Sequence, residues 1–267
     1  MNISSRFRKI QGVFLRQYWQ LRRAPEKIFD LFFWAIVLDL ITLGWMARWT
    51  GKDSPHFESD FRVFICCLVA WRVAWVGCYE FAIGFLDECW NRSLSNLVVS
   101  PLTPLEWFFG NMLVTAAKAI VVFFLCVVAS QLLFNVSIAW YPLPCIAALF
   151  GLFLFGVTMG CLAIGIVLRF GIRAQFIGWS LPWVSAPLSG VFFPIEAIPL
   201  QLQKASLMLP STRIMTFLRS FFLDPSSAPL YELAVGIGLS LTYLIVATTL
   251  LYFMYQRVRR SGFDHLE

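Results

Sequence analysis

The chain has 267 residues, of which 59% are hydrophobic and 13% charged, with a net charge of +6 and a mean hydropathy of +0.74. A soluble domain carries about a quarter charged residues, so this composition excludes one and points to long apolar runs in lipid. The basic excess does not mark a nucleic-acid binder, because the Lys and Arg residues flank the apolar runs instead of forming one patch.

The first 27 residues are too polar for a cleavable signal peptide and predict a cytoplasmic amphipathic helix. Phe7, Ile10, Phe14, Tyr18 and Leu21 recur at helical spacing, while Arg8, Lys9, Gln11, Arg16 and Arg22 fall largely elsewhere. Such a helix lies in the interface, its apolar face in the acyl boundary and its basic face toward anionic lipid headgroups, as an anchor or as a docking element. Pro25 ends it.

Residues 28–267 then read as an all-α integral membrane domain with six transmembrane helices, near 28–47, 61–85, 107–134, 144–168, 174–193 and 230–255. Thirteen Lys and Arg lie on the side that holds both termini, including a basic tail over 256–267, against five on the other side, which predicts cytoplasmic termini. Asp39, Arg72, Glu80 and Lys118 fall inside spans, where ionisable groups pair, snorkel or line a path. Asp39 and Arg72 are expected at similar depth as an ion pair, and Glu80 and Lys118 nearer the cytoplasmic half. Gly156 and Gly160 form a G-x-x-x-G in the fourth span, a packing motif. The fifth span contains Pro182 and Pro187, which favour kinks. Residues 195–225, moderately apolar and punctuated by prolines, predict two short re-entrant helices between spans five and six. The seven cysteines sit in or beside apolar runs without a C-x-x-C pair, and the expectation is no metal site and no disulfide scaffold.

The connection between spans two and three reads DECWNRSLSNLVVSPLTPLEW. With its acidic residue, its basic residue and its L-x-V-S-P ending, it resembles the permease subunits of ABC-2-type ATP-binding-cassette exporters. Glu88, Arg92, Leu97, Val99, Ser100 and Pro101 carry that likeness, and Cys89-Trp90-Asn91 departs from it. SGVFFPIEAIP over 189–199, with Pro194, Glu196 and Pro199, and the stretch around Pro210 resemble the family's re-entrant region. The resemblance implies a cytoplasmic coupling helix at about 88–101, with Asn91 and Ser95 on its polar side, that docks into an ATPase. It implies two copies of that ATPase, which hold ATP and Mg, and a second permease copy as homodimer partner. The chain itself has no G-x-x-x-x-G-K-[ST] phosphate loop and is expected to have no catalytic residue and no cofactor of its own. The implied function is export of an amphipathic, lipid-like or glycan substrate from a bacterial cytoplasmic membrane. The alternatives are a membrane-embedded lipid-modifying enzyme, disfavoured by having only His56 and His265 as histidines, and a channel or secondary carrier.

Overall fold

A computed structural model describes residues 3–51, 55–91, 102–137 and 143–261, with side chains excepted at 3–8, 10, 260 and 261. Helix α1 (Ile3–Arg23) is followed at once by α2 (Pro25–Phe33), with Pro25 in the first turn, where a missing N–H costs nothing. Helix α2 continues through a π-helical stretch, Trp34–Leu43, into α3 (Gly44–Thr50), so that Pro25–Thr50 is one apolar rod. Then come α4 (Phe57–Trp90), α5 (Pro104–Phe134), α6 (Leu143–Phe170), α7 (Ile177–Leu188), α8 (Leu200–Ser206), α9 (Pro210–Leu223) and α10 (Leu230–Ser261).

Five of these rods are long and apolar enough to cross a membrane: Pro25–Thr50, Phe57–Trp90, Pro104–Phe134, Leu143–Phe170 and Leu230–Arg259. At 1.5 Å per residue the 34 residues of α4 reach about 50 Å, well beyond a hydrocarbon core of about 30 Å. Its ends therefore carry charge, Glu58 and Asp60 at the start and Asp87 and Glu88 at the finish. The run expected to be the fifth span is helical only over Ile177–Leu188, about 18 Å long, after a 3₁₀ turn at Ile172–Ala174. Pro182 and Pro187 sit inside that helix and remove two backbone donors, which is why it stays short. The segment still runs the length of the bundle. Gln175 accepts a bond from Trp90 at the end of α4, and Gly190 to Glu196 share a cavity with Phe57 and Phe61 at its start.

Helices α4 and α6 form the core. Both are buried along most of their length, whereas Pro25–Thr50, α5 and α10 bury one face and leave Phe109, Leu132, Ile245 and Phe253 exposed for lipid. The α4–α6 crossing is close because glycine allows it. A Cβ on Gly156 would lie 2.3 Å from the Ala74 carbonyl oxygen, and one on Gly77 would lie 3.1 Å from that of Phe153. Helix α9 buries Ile214, Met215, Phe217 and Leu218 between α6, α10 and α4. The corner before it reaches far along α10, where Tyr243 donates to the Met208 carbonyl at 3.0 Å.

Candidate functional site

Three ion pairs tie α1 and the start of α2 to the two stems of the connection at 92–101. Arg16 donates to Glu88 at 2.8 Å and Lys27 to Asp87 at 2.5 Å, both at the end of α4. Lys9 donates to Glu106 at 3.3 Å in the first turn of α5. Glu88 and Glu106 are buried, so these carboxylates gain more from a partner than exposed ones would. Thr103 and Glu106 also form a reciprocal capping box, with the Thr103 hydroxyl accepting from the Glu106 N–H and the Glu106 carboxylate accepting from the Thr103 N–H. One turn further on, Asn111 accepts from Gln17 at 2.8 Å and donates to the Phe81 carbonyl at 2.9 Å, joining α1, α5 and α4. Val13 packs against Gly110, and Phe14, Leu15, Tyr18 and Trp19 stay exposed.

Helix α1 buries Val13 and exposes Phe14, Leu15, Tyr18 and Trp19, and its basic residues do not all point away from the protein. Lys9 and Arg16 turn to the protein, because the long α4 and α5 bring carboxylates out to the same level. Glu88 is engaged by Arg16 within the chain. Asn91 closes the last turn of α4, its amide donating to the Asp87 carbonyl at 2.7 Å. Arg92, Ser95, Leu97, Val99, Ser100 and Pro101 lie outside the described residues, as do the side chains of Phe7 and Ile10. The 256–267 tail is described only to Ser261, still helical in α10.

The charges inside the spans meet in pairs. Arg72 donates to Asp39 at 3.0 Å, with both residues buried, and its guanidinium lies 3.9 Å from the centre of the Trp75 ring. Lys118 donates to Glu80. Asp30, which the sequence reading passed over, accepts from Trp34 and from the Tyr79 hydroxyl at 2.8 Å. The contacts 27–87, 30–79 and 39–72 run in opposite order along the two helices, as antiparallel neighbours must. Asp39 lies in the π-helical stretch, whose wider turn is where such stretches frequently serve function. The T-x-x-E spelling of Thr103–Glu106 was the sequence signal for the capped start of α5. No comparable signal announced Asp30 or Asn111.

At the opposite end, Ser189 and Ser211 share a hydrogen bond at 2.7 Å, Thr212 donates to the Leu188 carbonyl, and Arg213 pairs with Glu232 at 3.0 Å. Pro194 and Pro199 precede the short helical turns at Ile195–Ala197 and Leu200–Ser206, and Pro210 opens α9. Glu196 is exposed. Helix α1 and the C-terminal end of α10 lie at one end of the bundle. Tyr252 and Tyr255 of α10 share a small cavity with Thr103 and Trp107 of α5, next to the Lys9–Glu106 pair.

No curated protein matches the chain. The family described as "ABC-2 family transporter protein" matches residues 48–254, which run from the end of the first long rod through almost all of α10. That match covers more than half of the sequence and takes in the second to fifth long helices together with the 172–223 segment. The chain belongs to the ABC-2 family of transporter proteins.

Proposed function

We propose that this chain is the transmembrane permease subunit of an ATP-driven exporter. The observation that carries the reading is the bracing of both stems of the 92–101 connection by Lys9 and Arg16 of α1 and Lys27 of α2, in a chain of this transporter family. A segment held at Asp87, Glu88 and Glu106 cannot be pushed without moving α4 and α5 together. Rigid-body motion delivered there enters the membrane, and α4 carries it into the core. The chain is a transport component and not an enzyme. ATP and Mg belong to a separate ABC ATPase, in two copies, and a second permease copy completes the path as a homodimer.

In this reading the chain crosses the bilayer six times. The fifth crossing is the composite segment 172–196, and α8 with α9 forms a re-entrant pair from the outer side. Both termini are cytoplasmic, by the thirteen-to-five basic asymmetry. The membrane is the bacterial cytoplasmic membrane, and the cargo is an amphipathic, lipid-like or glycan molecule leaving the cytoplasm or inner leaflet. Leu97 anchors the coupling helix in a cleft of the ATPase, so Leu97→Asp places an unpaired charge in that contact. Affinity purification of the tagged chain from its native membranes should recover an ABC ATPase with the parent and lose it with Leu97→Asp. Full recovery with Leu97→Asp would refute the docking role.

A further inference from the structure

A cavity of about 1000 Å³ opens at the end of the bundle opposite α1, at the upper size of ordinary ligand sites. Its walls come from five parts of this one chain: the end of the Pro25–Thr50 rod, the start of α4, α7, the turn after it, and α9. Six aromatic rings line it, Phe57, Phe61, Phe64, Trp183, Phe192 and Phe193. Two carboxylates, Asp60 and Glu196, share the lining, and both are exposed and without an ion pair among the described residues. Among the described residues the cation on the lining is Arg219, and two of its donors are committed to structure. Its Nε donates to the Gly190 carbonyl at 2.7 Å and its Nη2 to that of Val191 at 3.1 Å, holding the turn in which Gly190 takes φ +73°.

A chamber lined by aromatic rings, with two unpaired carboxylates against one guanidinium, keeps a net negative charge on its described lining. Ring faces attract cations through their quadrupole, and carboxylates attract them by Coulomb interaction. An anion or a neutral glycan would need free donors in quantity, and two of the donors of Arg219, the cation on the described lining, are already used by carbonyls. We infer that this vestibule binds a cationic amphiphile, its apolar body against the rings and its cationic head at Asp60 and Glu196. The inference rests on the exporter reading above and gives that reading a substrate class, with the cavity on the outer side of the membrane.

The test is equilibrium binding of radiolabelled tetraphenylphosphonium to the full chain in lipid nanodiscs, with empty nanodiscs subtracting partition into lipid. Saturable binding is expected, weakened about tenfold or more in the Asp60→Asn, Glu196→Gln double variant. Both positions are exposed, so the variant keeps its core; an unchanged elution profile and melting curve check this. Tetraphenylborate, of the same shape and opposite charge, is expected to compete poorly. Equal competition by the anion, an unchanged affinity in the double variant, or displacement by maltoheptaose at lower concentration than by dodecyltrimethylammonium would overturn the proposal. The assay uses the permease without an ATPase. Its failure therefore leaves the exporter reading standing, and failure to recover an ATPase leaves this binding result standing.

Discussion

Removing one member of the Asp39–Arg72 pair should cost this protein more than removing both. The two groups lie 3.0 Å apart, and Arg72 is 2% exposed. With an effective dielectric of about 20, their attraction is about 5 kcal/mol before desolvation is counted. Two further nitrogens of Arg72, Nε and Nη2, are buried and have no hydrogen-bond partner among the described residues. Asp39→Asn therefore leaves a guanidinium deep in the bundle, stacked on Trp75 but without a counter-charge. Arg72→Gln leaves a buried carboxylate in the π-helical stretch. Each single change is expected to destabilise the fold by about 3–5 kcal/mol, and the double variant to fall within about 2 kcal/mol of the parent. The assay is a double-mutant cycle on the unfolding equilibrium in mixed micelles, with expression level in membranes as a second readout. A double variant that loses the sum of the two singles would refute the reasoning, because independent sites add and coupled ones do not.

Gly156→Ala should force α4 and α6 apart, since the new methyl would lie 2.3 Å from the Ala74 carbonyl; we expect a loss of about 1–3 kcal/mol. Gly238→Ala, at a site with no atom within 4 Å, should be neutral or slightly stabilising in the same melting experiment. Arg16→Glu should lower ATPase stimulation in the reconstituted complex and cost about 1–3 kcal/mol of stability, because Arg16 is 44% exposed but the buried Glu88 then faces a like charge. Adding Glu88→Arg should restore much of the stimulation, and a double variant no better than the single would contradict the brace.

The long helices were legible because lipid leaves the chain few choices. Uninterrupted apolar runs at 28–47, 61–85, 107–134, 144–168 and 230–255 all lie within long rods. The structure extends their ends, most of all in α4, since hydropathy marks only the part in hydrocarbon while hydrogen bonding carries a helix on into water. The 174–193 run was harder to read. Its apolar count is that of a span, but Pro182 and Pro187 limit the helix to Ile177–Leu188. The π-helical turn at Trp34–Leu43 left no mark, as its residues suit either helix type. The site divided the same way. Buried charges such as Asp39 and Arg72 must find a partner in lipid, so each pointed to the other. Lys9 and Arg16 had a choice between headgroups and protein, and tertiary geometry decided it. That choice depends on how far α4 and α5 project, which no local pattern records.

The central claim is that an ABC ATPase meets this chain at the end where α1 braces the 92–101 connection. A photo-crosslinking amino acid placed at Leu97, with a matched probe at Ser226 on the opposite end, tests this directly in native membranes. The account predicts a light-dependent adduct with an ATPase subunit from position 97 and none from position 226. Adducts from position 226 alone, or no ATPase adduct from position 97 while the protein is expressed and folded, would contradict it.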